Sequence, residues 1–349
     1  MTAVARRFSC MDEHAVISSV PYIMPRIFLP VALSLTIACR GAEPAPSAWH
    51  DPSPHRVAFV TVAPEVRLEV LDWGGSGPPL VFLAGLQDVA HGFDDFAPTF
   101  TDTHHVLALT RRGYGASSQP PSGYDLATRL ADLRAVLDSL HLQRVTLVGH
   151  SMAGDELTGF AGAYPERVDR LVYLDAAYDH SALGPLLADY PAPPPMTQAD
   201  SASPAAVQAY LLRTFGMHIP EGQVRAIGRY DAAGRLVGDV TPATVDSAML
   251  AGCGRPDYAR VRAPALALNS IADSAAQIFP AWPAMSESQR VQARRFAEKL
   301  RVFGNAERER VQRELRGARV LAFHGANHYL FDSNEAEVTR AMRAFLAEH

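Results

Sequence analysis

Short, almost wholly apolar runs recur along this chain, broken only by Thr146, and are separated by stretches with an apolar residue every third or fourth position. The runs cover residues 80–83, 106–109, 145–148, 171–174, 265–268 and 320–323. Runs that short, with no polar alternation, predict strands covered on both faces, as in a parallel sheet. Upstream, residues 56–62 and 66–73 predict two further strands, with a turn at Pro64 and a Gly-Gly turn after Trp73. Between the runs, the helical period is clearest over residues 125–140. There Leu126, Leu130, Leu133, Val136, Leu137 and Leu140 fall on one face. Residues 155–164 and 335–346 repeat the pattern. Strands that alternate with helices imply a mostly parallel sheet with helices on both sides.

Two segments interrupt the alternation. Residues 177–262 lie between consecutive predicted strands and are far longer than one crossover needs. They hold the run YPAPPP, helical patterns and a polar turn at 231–234. Residues 276–316 form a second insertion, helical and charged. Structureless loops of such length are uncommon in a compact domain. The first insertion therefore reads as a helical lid, and the second as helices added near it. The resulting division is a tether over residues 1–55, a core of 56–176 with 263–349, and a lid of 177–262.

Composition narrows the class. Of 349 residues, 48% are hydrophobic and 20% charged, which is ordinary for a globular domain with a sizeable core. The net charge of -5, without a long basic run, argues against a nucleic-acid partner. The three cysteines, Cys10, Cys39 and Cys253, are too scattered for a disulfide framework or a zinc site. His104 and His105 are neighbours on a predicted strand and point to opposite faces, so they make a poor metal pair. No metal or cofactor is expected.

The N-terminus carries an address. Met24-Pro25-Arg26 precedes the apolar stretch 27–38, which is the length of a signal-peptide core and too short to span a bilayer. LTIAC resembles a bacterial lipobox, which would make Cys39 a lipidation site and a membrane tether. Thr36-x-Ala38 also suits ordinary signal cleavage. The expectation is export, to the periplasm or a membrane surface in a bacterium, with a cytoplasmic protein as the alternative. Met24 is then a candidate start. RGAEPAPSAWHDPSPH, up to residue 55, reads as a flexible Pro-rich linker.

The chemistry centres on LVGHSMAG, residues 147–154. A serine after a strand can simply cap the next helix. Here it also has the small neighbours Gly149 and Ala153 that a sharp strand-to-helix elbow needs. A serine hydroxyl requires a base, and VLAFHGANHYLF offers His328 in the loop after the last strand, with His324 at the strand's end. An acid must orient that imidazole. Asp273, in APALALNSIADS, is the preferred candidate, and Asp175, in LVYLDAAYD, is the rival. Asp155 and Glu156, in the first turn of the elbow helix, read as partners of its dipole rather than as groups that grip a cationic substrate. Cys253 reads as a small buried hydrophobe.

With GHSMAG, LVFLAGLQDVAHGFDDFAP, TRRGYGASS, PALALNSIAD and GANHYLF in place, the chain resembles the α/β-hydrolase superfamily over roughly residues 56–349. The resemblance implies an eight-stranded, mostly parallel sheet flanked by helices, with a helical lid after strand six. It also implies an oxyanion hole from the backbone N–H groups of Leu86 and Met152. Pro264 and Asp273 keep the family's spacing for the acid, while Ala84 replaces its usual histidine before Gly85. The expected activity is a serine esterase acting on a small-molecule acyl substrate through an acyl-enzyme on Ser151. Lactonase, thioesterase, aminopeptidase and carbon–carbon hydrolase chemistry use the same groups, and a non-catalytic binding protein is the alternative of another class.

Overall fold

The computed structural model describes residues 49–348. The apolar stretch 27–38 and Cys39 lie outside them. The described strands are β1 (Arg56–Ala63), β2 (Val66–Gly74), β3 (Pro79–Leu83), β4 (His105–Leu109), β5 (Val145–His150), β6 (Val168–Leu174), β7 (Gly228–Tyr230), β8 (Leu236–Asp239), β9 (Ala265–Ile271) and β10 (Arg319–His324). The helices are α1 (Leu126–Ser139), α2 (Ala153–Ala163), α3 (Gly184–Leu187), α4 (Pro204–Phe215), α5 (Glu221–Ile227), α6 (Ala243–Ala251), α7 (Ala275–Ile278), α8 (Glu287–Glu314), α9 (Leu330–Ser333) and α10 (Glu335–Leu346).

Eight of these strands form one sheet in the order β1-β2-β4-β3-β5-β6-β9-β10. β2 pairs antiparallel with β1 and β4, and every other neighbour in the sheet is parallel. The apolar runs form strands, and most have both faces covered; the last run, 320–323, differs from the expectation because β10 lies at the sheet edge, with Leu321 41% exposed. Leu80 and Phe82 pack into one layer with Phe93, Phe96 and Phe331, while Val81 and Leu83 pack into the other with Leu133, Leu137 and Phe160. All six residues of β5 are buried, which puts it in the middle of the sheet.

Local signals set the helix ends. The Asp125 carboxylate accepts from the Thr128 amide at 2.9 Å and starts α1, whose buried face carries Leu133, Val136 and Leu137. Ser286 and Gln289 form a reciprocal capping box that starts the 28-residue α8. That helix buries only Ala293, Phe296, Arg310 and Val311, which accounts for its charged sequence.

Between β6 and β9 lie α3 to α6 and one feature absent from the sequence reading, the antiparallel hairpin β7–β8. Its turn is the polar 231–234 segment, where Gly234 has φ +76°. A second difference concerns the expected linker. Its last residues are not free of the core: Trp49 lies under the Arg225 guanidinium at 4.7 Å, and the His55 side chain is 3% exposed.

Candidate active site

β5 ends at His150, α2 begins at Ala153, and the turn between them is Ser151-Met152. Ser151 has φ +51°, a left-handed conformation that a residue with a Cβ adopts only under constraint. Its amide donates to the Leu174 carbonyl at 3.1 Å, which locks the turn to the end of β6. The small residues around it have steric reasons. A Cβ on Gly149 would stand 2.6 Å from Leu157 Cδ1 and 2.9 Å from Ala153 Cβ. One on Gly154 would stand 1.8 Å from the Ala176 carbonyl oxygen. Gly154 thus lets the elbow helix press against the chain leaving β6, beside a turn that has alanine at 153.

Gly85 lies over the serine. A Cβ there would be 2.8 Å from Asp88 Oδ2, 3.1 Å from His150 Nδ1 and 3.3 Å from Ser151 Cβ. The expected oxyanion donors are the amides of Leu86, next to Gly85, and Met152, next to Ser151. Both residues are buried, at 1% and 0% exposure, and neither amide has a hydrogen-bond acceptor among the described residues. Two buried donors without acceptors are what an oxyanion site requires.

The acid differs from the preferred expectation. His328 Nδ1 lies 2.7 Å from Oδ2 of Asp175, the residue that follows β6. Asp273 lies instead 2.9 Å from His324, in an exposed pair. The strand register explains the exchange. β10 is an edge strand, and His324 pairs with Ile271 at the end of β9, so the chain beyond β9 meets His324 at the sheet's rim. Gly325, at φ +76°, then turns the loop back. His328 thereby reaches past β9 to the end of β6, the strand beside β5.

Asp175 is itself held in a strained turn, with φ +46°. Its carboxylate accepts from the Ser270 amide at 3.0 Å and the Ser270 hydroxyl at 2.6 Å. Burial alone would raise its pKa. The hydrogen bond and charge of His328, with the Ser270 donors, outweigh that and hold it below the usual carboxylate value.

His150 couples the elbow to the His328 loop. Its Nε2 lies 3.2 Å from the His328 carbonyl oxygen, and the two rings are 4.7 Å apart. Its Nδ1 lies 3.5 Å from Asp88, a buried carboxylate that also accepts from Tyr329 Oη at 2.9 Å and Gln223 Nε2 at 2.7 Å. Burial holds His150 below the ordinary imidazole pKa against the pull of Asp88. Asp88 and Tyr329 stand within quoted segments and Gln223 in none, but nothing local shows that the three converge on His150.

Asp155 and Glu156 do more than face a helix dipole. Asp155 lies 2.7 Å from His180, and Glu156 takes a bidentate bond from Arg111 Nε at 2.7 and 2.8 Å. Both acids are buried, at 2% and 3% exposure, so neither is presented to a substrate. Cys253 is half-buried, and burial, then the nearby Asp155 charge, pushes its thiol up to about 12.

A cavity opens against Asp175 and His328. Its apolar wall includes Leu183 and Phe215 from the first insertion and Leu300 and Phe303 from the second. Tyr178 also lines it. Burial, then the Asp175 charge, raises the Tyr178 phenol well above its ordinary pKa, so it stays protonated. Ser151 itself is 3% exposed.

Comparisons with known proteins agree with the architecture. A family described as the alpha/beta hydrolase fold matches residues 78–214. The cis-3-alkyl-4-alkyloxetan-2-one decarboxylase of Shewanella oneidensis is 37% identical over 110 residues, 30% of this chain and 35% of that protein. A serine hydrolase-like protein of Danio rerio is 35% identical over 114 residues, 32% of this chain and 34% of that protein. The matched part thus spans about a third of these relatives. The crystal structure of E-2-(acetamidomethylene)succinate hydrolase superposes with a TM-score of 0.62 at 18% identity, over 84% of this chain and 100% of that one.

Proposed function

We propose that this chain is a serine hydrolase of the α/β-hydrolase superfamily that cleaves carboxylic esters or related acyl compounds, a reading supported by the family match over residues 78–214. The observation that carries the reading is the Asp175–His328 hydrogen bond, formed beside a serine held at positive φ. In the proposed reaction, Ser151 Oγ attacks the acyl carbon while His328 accepts its proton. The Asp175 carboxylate fixes the imidazole tautomer and stabilises the cation. The Leu86 and Met152 amides receive the oxyanion, and such a donor is worth about 100- to 1,000-fold in rate. His328 then returns the proton to the leaving alcohol, and an acyl-enzyme remains. Water, deprotonated by His328, releases the acid and restores the serine.

The substrate group that best suits the cavity is apolar, because both insertions supply its wall. In this reading the 177–262 segment acts as a lid, which must open for an acyl group to reach the buried Ser151. Export through the 27–38 stretch, with Cys39 as a lipid anchor, belongs to the same proposal, and the mass of the mature chain tests it. For the chemistry, the test is a fluorophosphonate probe with a panel of p-nitrophenyl esters and lactones. Wild-type protein should label on Ser151 and turn over at least one ester class, and Ser151→Ala should do neither. A folded wild-type protein that resists the probe would favour a ligand-binding role instead.

A further inference from the structure

Away from this site, four side chains from two distant stretches converge: Asp51 and His55 from the expected linker, and His91 and Asp94 from the 3-10 turn after the oxyanion loop. One donor atom from each lies within 4.8 Å of all the others. His91 Nδ1 is 2.9 Å from Asp94 Oδ2 and 3.2 Å from Asp51 Oδ2. His55 Nδ1 is 3.2 Å from Asp94 Oδ1, and its Nε2 is 4.0 Å from Asp51 Oδ2. In a tetrahedral zinc site with bonds of about 2.0–2.1 Å, neighbouring donors stand about 3.4 Å apart. The two spacings from His91 Nδ1, 2.9 and 3.2 Å, lie near that value, and the full set of one donor per residue lies within 4.8 Å, so binding would draw the donors together.

Protons alone do not satisfy these groups. The His91 Nδ1 atom can carry one proton, yet it faces two carboxylates. Asp51 Oδ2, His55 Nδ1 and Asp94 Oδ1 are all buried and make no well-aligned hydrogen bond among the described residues, although His55 Nδ1 and Asp94 Oδ1 face each other at ion-pair distance. The His55 and Asp94 side chains are only 3% and 4% exposed. Buried atoms of this kind are costly unless something pairs them. A divalent cation would pair all of them and cancel the two aspartate charges while both imidazoles stay neutral.

The surroundings orient the donors. The Ser53 amide donates to Asp51 Oδ1 at 2.9 Å, which leaves Oδ2 turned to the cluster. Ser53 Oγ accepts from Trp73 Nε1 at 2.9 Å. Glu69, which accepts from Thr110 at 2.7 Å, stands 4.0 Å behind His91 Nε2, as a carboxylate often stands behind a ligating histidine. Gly222 closes the top. A Cβ there would lie 2.6 Å from Asp94 Oδ2, 2.8 Å from Asp51 Oδ2 and 2.9 Å from His91 Nδ1.

We propose that Asp51, His55, His91 and Asp94 form a structural site for one divalent transition-metal ion, with zinc the ion that best suits two imidazoles and two carboxylates. The ion would clamp the segment entering the domain to the turn that follows the oxyanion loop. This does not depend on the hydrolase proposal.

The test uses the full chain, equilibrated with zinc, passed through gel filtration and measured by mass spectrometry for metal and by thermal unfolding. About one zinc per chain is expected. Zinc held at roughly 100 times its Kd should raise Tm by about 5 °C over the chelator-treated protein. Asp51→Asn and His55→Ala should each lose the bound zinc and the Tm response. Wild-type protein that retains no zinc and shows no Tm response would overturn the site, leaving an ion-pair cluster. Stoichiometric zinc that survives both substitutions would also overturn it, because the ion would then lie elsewhere. Should one variant not fold, the wild-type measurements and the other variant still decide.

Discussion

The imidazole of His328 is hydrogen-bonded to Asp175, at 2.7 Å, across 153 residues of chain. The pair forms because the ends of β6 and β10 are turned toward one another, and Asp273 is left on the rim with His324. This relationship sets the first expectation. Asp175→Asn should lower kcat/KM by about 10,000-fold, the scale found when a triad acid becomes its amide. Asp273→Asn should change it little, since its partner pair is exposed and such pairs contribute about 0–1 kcal/mol. Steady-state kinetics on the two variants decides, and a larger loss at Asp273 would reverse the assignment.

The depressed pKa of Asp175 has a defined sign. Its folded value lies below the unfolded one of about 3.9. The stability it contributes is therefore complete above that pH and is lost as pH falls through the folded value. The stability difference between wild type and Asp175→Asn should shrink as pH falls below about 4. Urea unfolding at several acidic pH values measures this. A difference that does not shrink there would mean that the carboxylate is not held ionised.

Gly85 should not tolerate a side chain. In Gly85→Ala the new Cβ would be 2.8 Å from Asp88 Oδ2 and 3.3 Å from Ser151 Cβ, so the loop that carries the Leu86 amide must move. The expected loss in kcat is about 100-fold or more, comparable with removal of one oxyanion donor. Circular dichroism should still report a folded protein. An unchanged kcat would separate this loop from oxyanion binding.

Much of the fold was legible from pattern alone. Strands β3 to β6 and β9 coincide with the apolar runs because their two covered faces favour apolar residues, whereas β10 keeps an apolar run at the exposed edge of the sheet. α10 spans residues 335–346, the range its period predicts. The hairpin β7–β8 escaped because strands of three and four residues are too short for a period to show. Trp49–His55 read as linker because proline and polar residues dominate it, yet the polar groups are the ones the fold uses.

For the site, adjacency along the chain carried the elbow: Gly149, Ser151 and Ala153 must be near one another in sequence, since one turn contains them all. Spacing could not choose between Asp175 and Asp273, because both follow strands and both stand before His328. Only the order of strands in the sheet puts one aspartate beside the serine and the other at the edge. The same holds for Asp51, His55, His91 and Asp94, whose meeting depends on the path of a segment with no regular structure. Periodicity and local sterics act between neighbours in sequence. Which distant groups come together is set by packing of the whole chain.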